Sequence, residues 1–191
     1  MTAAMSDMPP KDDWTSDDLD RFPEDGIRRE IFDGVLHVTP SPSSVHQSLA
    51  LLLGAALMHG CPDEFFVSQA NDVVVDPSRR FAPDLLVVNF EAAKSRSHKF
   101  AAADVVLAAE IVSSSTTGID RVSKPTFYAQ AGIQFFWLIE TIDGLSVSVF
   151  ELDPVDKHYE QIGIFTSDDT ISLDRPWPIE IPLSTIRPRN L

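Results

Sequence analysis

Val105-Val106-Leu107-Ala108-Ala109-Glu110-Ile111 places five apolar residues in a row before a single acid and a further isoleucine. A run with no polar face is what a strand covered on both sides of its sheet requires. Leu85-Leu86-Val87-Val88, upstream, has the same character. Downstream, a helical pattern from roughly Ile119 to Ala131, stopped by Gly132, leads into Phe135-Phe136-Trp137-Leu138-Ile139. This strand–helix–strand order predicts parallel pairing between its two strands. Strands are expected at about 64–69, 72–76, 84–89, 105–111, 134–140, 145–151 and 159–165, each bounded by turn residues.

Toward the N-terminus, Arg28-Arg29-Glu30-Ile31-Phe32 and Val35-Leu36-His37-Val38 flank Asp33-Gly34. That pair favours the positive φ of a primed turn, so a hairpin is expected. Thr15 reads as the N-cap of a short acidic helix. Ser44 reads as the cap of a helix running to about His59, with Gly60 as its left-handed stop and Pro62 beyond. The expected class is α/β or α+β: a mixed central β-sheet flanked by helices, with an N-terminal β-hairpin. The 191 residues divide into a flexible leader, 1–13, and a single domain, 14–191.

Composition narrows the chemistry. The chain carries 29 acids against 15 Lys or Arg, a formal charge of −14, which disfavours a general nucleic-acid binder. The charge is uneven, however: residues 79–124 hold seven cations and five acids, while the rest of the chain holds eight and 24. One cysteine, Cys61, rules out an intrachain disulfide framework and a cysteine-rich zinc site. No apolar run reaches the ~18 residues of a membrane span, and the start of the chain does not resemble a secretory signal. A cytoplasmic location and no membrane association are expected. None of the eight glycines forms a Gly-x-Gly pair, no Gly-x-Ser-x-Gly elbow surrounds Ser113–Ser115, and the five histidines show no metal-ligand spacing.

The informative residues are carboxylates. Pro83-Asp84 opens one buried strand, and Glu110 lies near the end of the next. An acid inside an apolar strand is costly unless it is paired or bound to a cation. Two such acids at neighbouring strand ends suit a hard cation such as Mg²⁺, with Mn²⁺ as a substitute. Lys124, near the start of the following helix, is placed to steady an attacking water or the charge building on phosphorus. Asp120, four residues earlier, is placed to orient that amine.

These residues fall within an ordered series: Arg29-Glu30-Ile31-Phe32-Asp33-Gly34, Ser44-Val45-His46-Gln47, Ala82-Pro83-Asp84-Leu85-Leu86-Val87-Val88 and 104–116 around Glu110. It continues through Asp120-Arg121-Val122-Ser123-Lys124, Phe127–Gly132 and Phe136-Trp137-Leu138-Ile139-Glu140. Over roughly residues 28–165 the chain resembles the Uma family of restriction endonucleases, within the PD-(D/E)XK nuclease superfamily. The resemblance implies a restriction-endonuclease-like core, with Asp84 and Glu110 as metal carboxylates and the carbonyl of Ile111 beside them. It implies Lys124 as the catalytic lysine, since the usual strand position is Val112 here, and Glu30 and His46 as auxiliary members. Arg79, Arg80, Lys94, Arg96, Lys99 and Arg121 are the expected DNA-backbone contacts.

Pro125 departs from the family pattern: either the helix starts near Ser123 or it bends where Lys124 must be aimed, and Pro125 is expected to push Lys124 itself out of helical backbone geometry. The leading expectation is Mg²⁺-dependent hydrolysis of DNA. Two alternatives stand beside it: a nuclease fold kept as a binding or assembly module, and a hydrolase of a small phosphorylated substrate. The apolar residues Ile133, Phe135, Phe136, Trp137, Val147, Val149 and Phe150 suggest either core or a homodimer surface.

Overall fold

The computed structural model describes residues 11, 13–23, 25–113 and 117–191. Its elements run α1 (Ser16–Leu19), β1 (Arg28–Phe32), β2 (Val35–Thr39), α2 (Ser44–Gly60), β3 (Phe65–Gln69), β4 (Asp72–Asp76), β5 (Arg79–Phe81) and β6 (Leu85–Asn89). They continue with α3 (Phe90–Ala93), β7 (Lys99–Ala101), β8 (Val105–Ile111), a π-turn at Ile119–Ser123, α4 (Lys124–Ala131), β9 (Phe135–Glu140), β10 (Ser146–Asp153), β11 (His158–Thr166), β12 (Thr170–Leu173), β13 (Ile179–Pro182) and α5 (Leu183–Ile186).

Among the described residues the strands form three sheets. The largest has the order β11-β10-β9-β8-β6-β3; a second has the order β2-β1-β5-β4-β7; β12 and β13 pair alone. In the large sheet β8 and β9 are parallel, as the strand–helix–strand order requires, while β6 runs antiparallel to β8. Alternation along β6 and β8 sends Leu85, Val87, Leu107 and Ala109 to one face, against Leu49, Leu53 and Leu57 of α2. Leu86, Val88 and Ala108 go to the other, against Tyr128 of α4 and Phe136. Both faces are therefore dry, which is why these strands carry no polar stripe.

The Asp33-Gly34 turn joins β1 to β2 with both residues at positive φ, 49° and 80°. The hairpin is not isolated, because β1 also pairs with β5 and the turn is bound on both sides. Trp14 N–H donates to Gly34 O at 2.7 Å, and Gly34 N–H donates to Ser78 O at 2.9 Å. Gly34→Ala puts a side chain in the left-handed region at a fixed turn, and should cost about 1–2 kcal/mol in urea unfolding.

Several local expectations are corrected. Gly60 lies inside α2 rather than stopping it; the cap is Cys61, in extended geometry (φ −68°, ψ 123°). Ser43, not Ser44, caps the other end, its side chain accepting from the His46 N–H at 3.2 Å. Of the expected leader, residues 1–10 and 12 lie outside the described residues, but Lys11 pairs with Asp18 and Asp13 abuts Gly34. Ser114, Ser115 and Thr116 also lie outside the described residues.

The aromatic and branched residues suggested for a homodimer surface are accounted for within the chain. Ile133, Phe135, Phe136, Trp137, Val147 and Val149 are buried, and Phe150 packs on Phe136. That set gives no support to a dimer. No helix among the described residues is long and apolar enough to cross a membrane.

Candidate active site

Register brings the two strand acids together. Leu85 stands opposite Ala109 in the antiparallel β6–β8 pair, so Asp84 faces Glu110 one step further along. Residues opposite one another in such a pair project to the same face. Asp84, Glu110, Glu30, His46, Asp120 and Lys124 all line one cleft of about 600 Å³.

Asp84 is 5% exposed and fully engaged. Its Oδ1 accepts from Arg28 Nη1 at 2.7 Å; its Oδ2 lies 3.0 Å from His46 Nε2 and accepts from the Ile111 N–H at 2.8 Å. Burial opposes its ionisation, but the His46 hydrogen bond and the charges of Arg28, His46 and Lys124 outweigh that cost, holding the carboxyl well below the usual range. At Ile111 it is thus the backbone N–H, rather than the carbonyl, that meets an acid of the site.

Glu110 is the reverse case. It is 1% exposed, and its Oε1 accepts from Lys124 Nζ at 3.0 Å and from the Tyr128 hydroxyl at 2.7 Å. Burial is the largest influence, and with the charges of Asp84 and Asp120 it outweighs Lys124, pushing the carboxyl up to about 8. The two acids are therefore set apart, one held ionised and the other holding its proton near neutrality.

Lys124 is the hub. Its Nζ lies 3.0 Å from Glu30 Oε1, 3.0 Å from Glu110 Oε1 and 3.4 Å from Asp120 Oδ1, with 2% of the side chain exposed. Burial works against its charge, but Glu110, Glu30 and Asp120 together raise its pKa above the usual range, so it stays cationic. The same Glu30 oxygen, on β1, also accepts from the Ala82 N–H at 2.9 Å.

Pro125 does not displace the lysine. Lys124 is α-helical (φ −61°, ψ −48°), and its N–H reaches back five residues to Ile119 O. The π-turn supplies the extra residue that lets the chain enter α4 with proline in its first turn, where no N–H is required. The same turn carries Asp120 and Lys124 to one side.

Of the six residues expected to contact DNA, five are held in ion pairs with acids of the chain. Arg80 is buried, bonded to Asp20, Asp72 and Ser16 O, so it braces β4 and β5 instead of meeting phosphate. Arg79 pairs with Asp33 and lies over Phe127; Lys94 pairs with Glu91, Lys99 with Asp20, and Arg121 with Glu140. Arg96 makes no ion pair among the described residues. Arg28 and Tyr128, by contrast, belong to the site and were not anticipated. Arg28 precedes Glu30 by two on one strand, and Tyr128 follows Lys124 by four on one helix, so period alone marks both.

The donor set suits a hard divalent cation. Four carboxyl groups (Glu30, Asp84, Glu110, Asp120) meet two permanent cations (Arg28, Lys124); once Glu110 gives up its proton the site is two positive charges short, which such an ion would supply. Among the described residues no three His, Cys, Asp or Glu groups stand as a ready cage. The contacts above give the reason: the acids' oxygens are turned onto Arg28, His46, Lys124 and the Ile111 N–H.

The family model Uma2, described as "Putative restriction endonuclease", matches residues 16–185. No curated protein matches the chain. A crystal structure of a "putative nuclease belonging to DUF820" from Anabaena variabilis ATCC 29413 shares the fold. It has a TM-score of 0.70 and 15% identity, covering 90% of this chain and 96% of that one. A match across nearly the whole folded region, on an architecture shared with that structure, makes the chain a member of the Uma2 family, with a nuclease-like fold.

Proposed function

We propose that the protein is a Mg²⁺-dependent endonuclease that hydrolyses DNA phosphodiester bonds, with Mn²⁺ able to replace Mg²⁺, and that it works in the cytoplasm. The observation that carries this reading is the meeting of Asp84, Glu110 and Lys124 in one cleft.

Asp84, Glu110 and the Ile111 carbonyl would hold the ion. When bound, such an ion supplies Lewis acidity toward a phosphoryl oxygen and makes water a better nucleophile. The protein's own share is positional. Lys124 cannot wander, since three carboxylates fix its amine, and from that place it offers positive charge where phosphorus becomes more anionic. Asp120 and Glu30 set the amine's position, while Tyr128 orients the Glu110 oxygen that Lys124 also holds. His46 fixes the second oxygen of Asp84.

Purified protein should nick or linearise plasmid DNA with Mg²⁺ and leave it intact with a chelator; no cleavage of any DNA form at any Mg²⁺ or Mn²⁺ concentration defeats the proposal. The pH dependence has a fixed sign. Glu110 must lose its proton to hold an ion, and its pKa lies near 8, so apparent Mg²⁺ affinity should rise from pH 6 to about 8 and level off above it. Calorimetric titration across that range, without DNA, measures this.

A further inference from the structure

Arg28 has two properties that a purely structural arginine does not need. It lines the acid cleft and also a second cleft of about 610 Å³, with Arg29, Asp72, Arg80 and Lys99. Its Nη1 sits on Asp84 Oδ1 at 2.7 Å, yet its buried Nε finds no hydrogen-bond partner among the described residues. A buried, unmatched N–H is costly, so the present pose satisfies Asp84 better than it satisfies Arg28.

We propose that Arg28 is the resident counter-ion of the ion-free site, displaced from Asp84 when a divalent cation arrives and released to bind a phosphate of the substrate. This rests on the reading of the cleft as an ion-dependent nuclease site. A guanidinium and a hard divalent cation brought to the same carboxylate repel one another, so the two compete for Asp84. Arg28 is 23% exposed, which leaves its head a path into the cleft. Its planar array of donors suits a phosphate, and the idle Nε would gain a partner there. The site therefore neutralises Asp84 in either state.

The test uses Mn²⁺ alone, with no DNA, titrated calorimetrically into metal-stripped protein. Arg28→Gln should bind Mn²⁺ about tenfold tighter or more, because a competing charge is gone, while Arg28→Lys stays near the wild type. A second measurement needs no change at the site: the Arg28 Nε–H resonance of the wild type, assigned by its absence in Arg28→Lys, should shift as Mg²⁺ is added.

Equal Mn²⁺ affinities for wild type and Arg28→Gln overturn this proposal and leave the nuclease reading intact. An unmoved resonance while the ion binds does the same. If neither protein binds the ion, both fall together. In Ca²⁺, duplex DNA binding by Arg28→Gln should show a salt slope smaller by about one; an unchanged slope overturns the phosphate role.

Discussion

Replacing Asp84 by asparagine should lower the proposed Mg²⁺-dependent DNA cleavage by about a thousandfold or more, the rate equivalent of losing several kcal/mol of charge stabilisation. The substitution changes the shape of the side chain very little and its charge completely. Arg28 Nη1, His46 Nε2 and the Ile111 N–H all converge on its two oxygens. An amide offers one acceptor and turns two donors toward groups that are themselves donors. Glu110→Gln should remove cleavage to a similar degree, and with it the rise of Mg²⁺ affinity with pH. A plasmid assay with purified variants, with their folding checked by circular dichroism, gives the result; either variant cleaving at the wild-type rate would end the assignment.

Lys124→Met has the second large effect, and on stability as well as rate. Methionine fills most of the lysine's volume but leaves Glu30, Glu110 and Asp120 without the cation they share, in a place where all three are at most 3% exposed. Breaking a buried pair in this way costs about 3–5 kcal/mol. The cost must depend on pH. Carboxylates deprived of their cation have pKa values raised in the folded state, so the folded variant keeps protons that the unfolded chain gives up. Its stability falls as pH rises through that interval. Urea unfolding should show a modest loss at pH 5 and the full loss at pH 8. A loss that is equal at both pH values would mean the lysine is held by packing rather than by charge.

The sequence makes parts of this fold plain and conceals others for specific reasons. The β6 and β8 strands are legible because burial on both faces leaves them apolar except for Asn89 at the end of one and Glu110 near the end of the other, with Asp84 just before β6. The hairpin is legible because Asp33-Gly34 can take positive φ at both positions. β5 and β7, three residues each, are too short to show a period, and so the second sheet stays hidden although its hairpin does not. Gly60 misleads because a glycine near a helix end is compatible with helix as well as with a left-handed stop.

For the site, Asp84 and Glu110 could be found because a charge in an apolar run needs a reason. Arg80 is the opposite lesson. Its neighbours in sequence read as a cationic surface, but its actual partners, Asp20 and Asp72, lie 60 and eight residues away. Only the packing of α1 against β4 and β5 converts that arginine from a candidate DNA contact into a brace. Pro125 shows how a local rule yields to geometry: the steric objection is sound for an α-helix, and the wider turn before it removes the objection.

That wider turn has one more result. The acids ride on a sheet that cannot shift without unzipping its ladder, whereas the amine rides on a short helix entered through a loosely wound coil. Charge on the two sides of the reaction centre is thus delivered by separately mounted parts. Because Glu30 on one sheet and Glu110 on the other both hold that amine, a shift of the helical mount would break ion pairs with both sheets at once, so the lysine ties the separately mounted parts together.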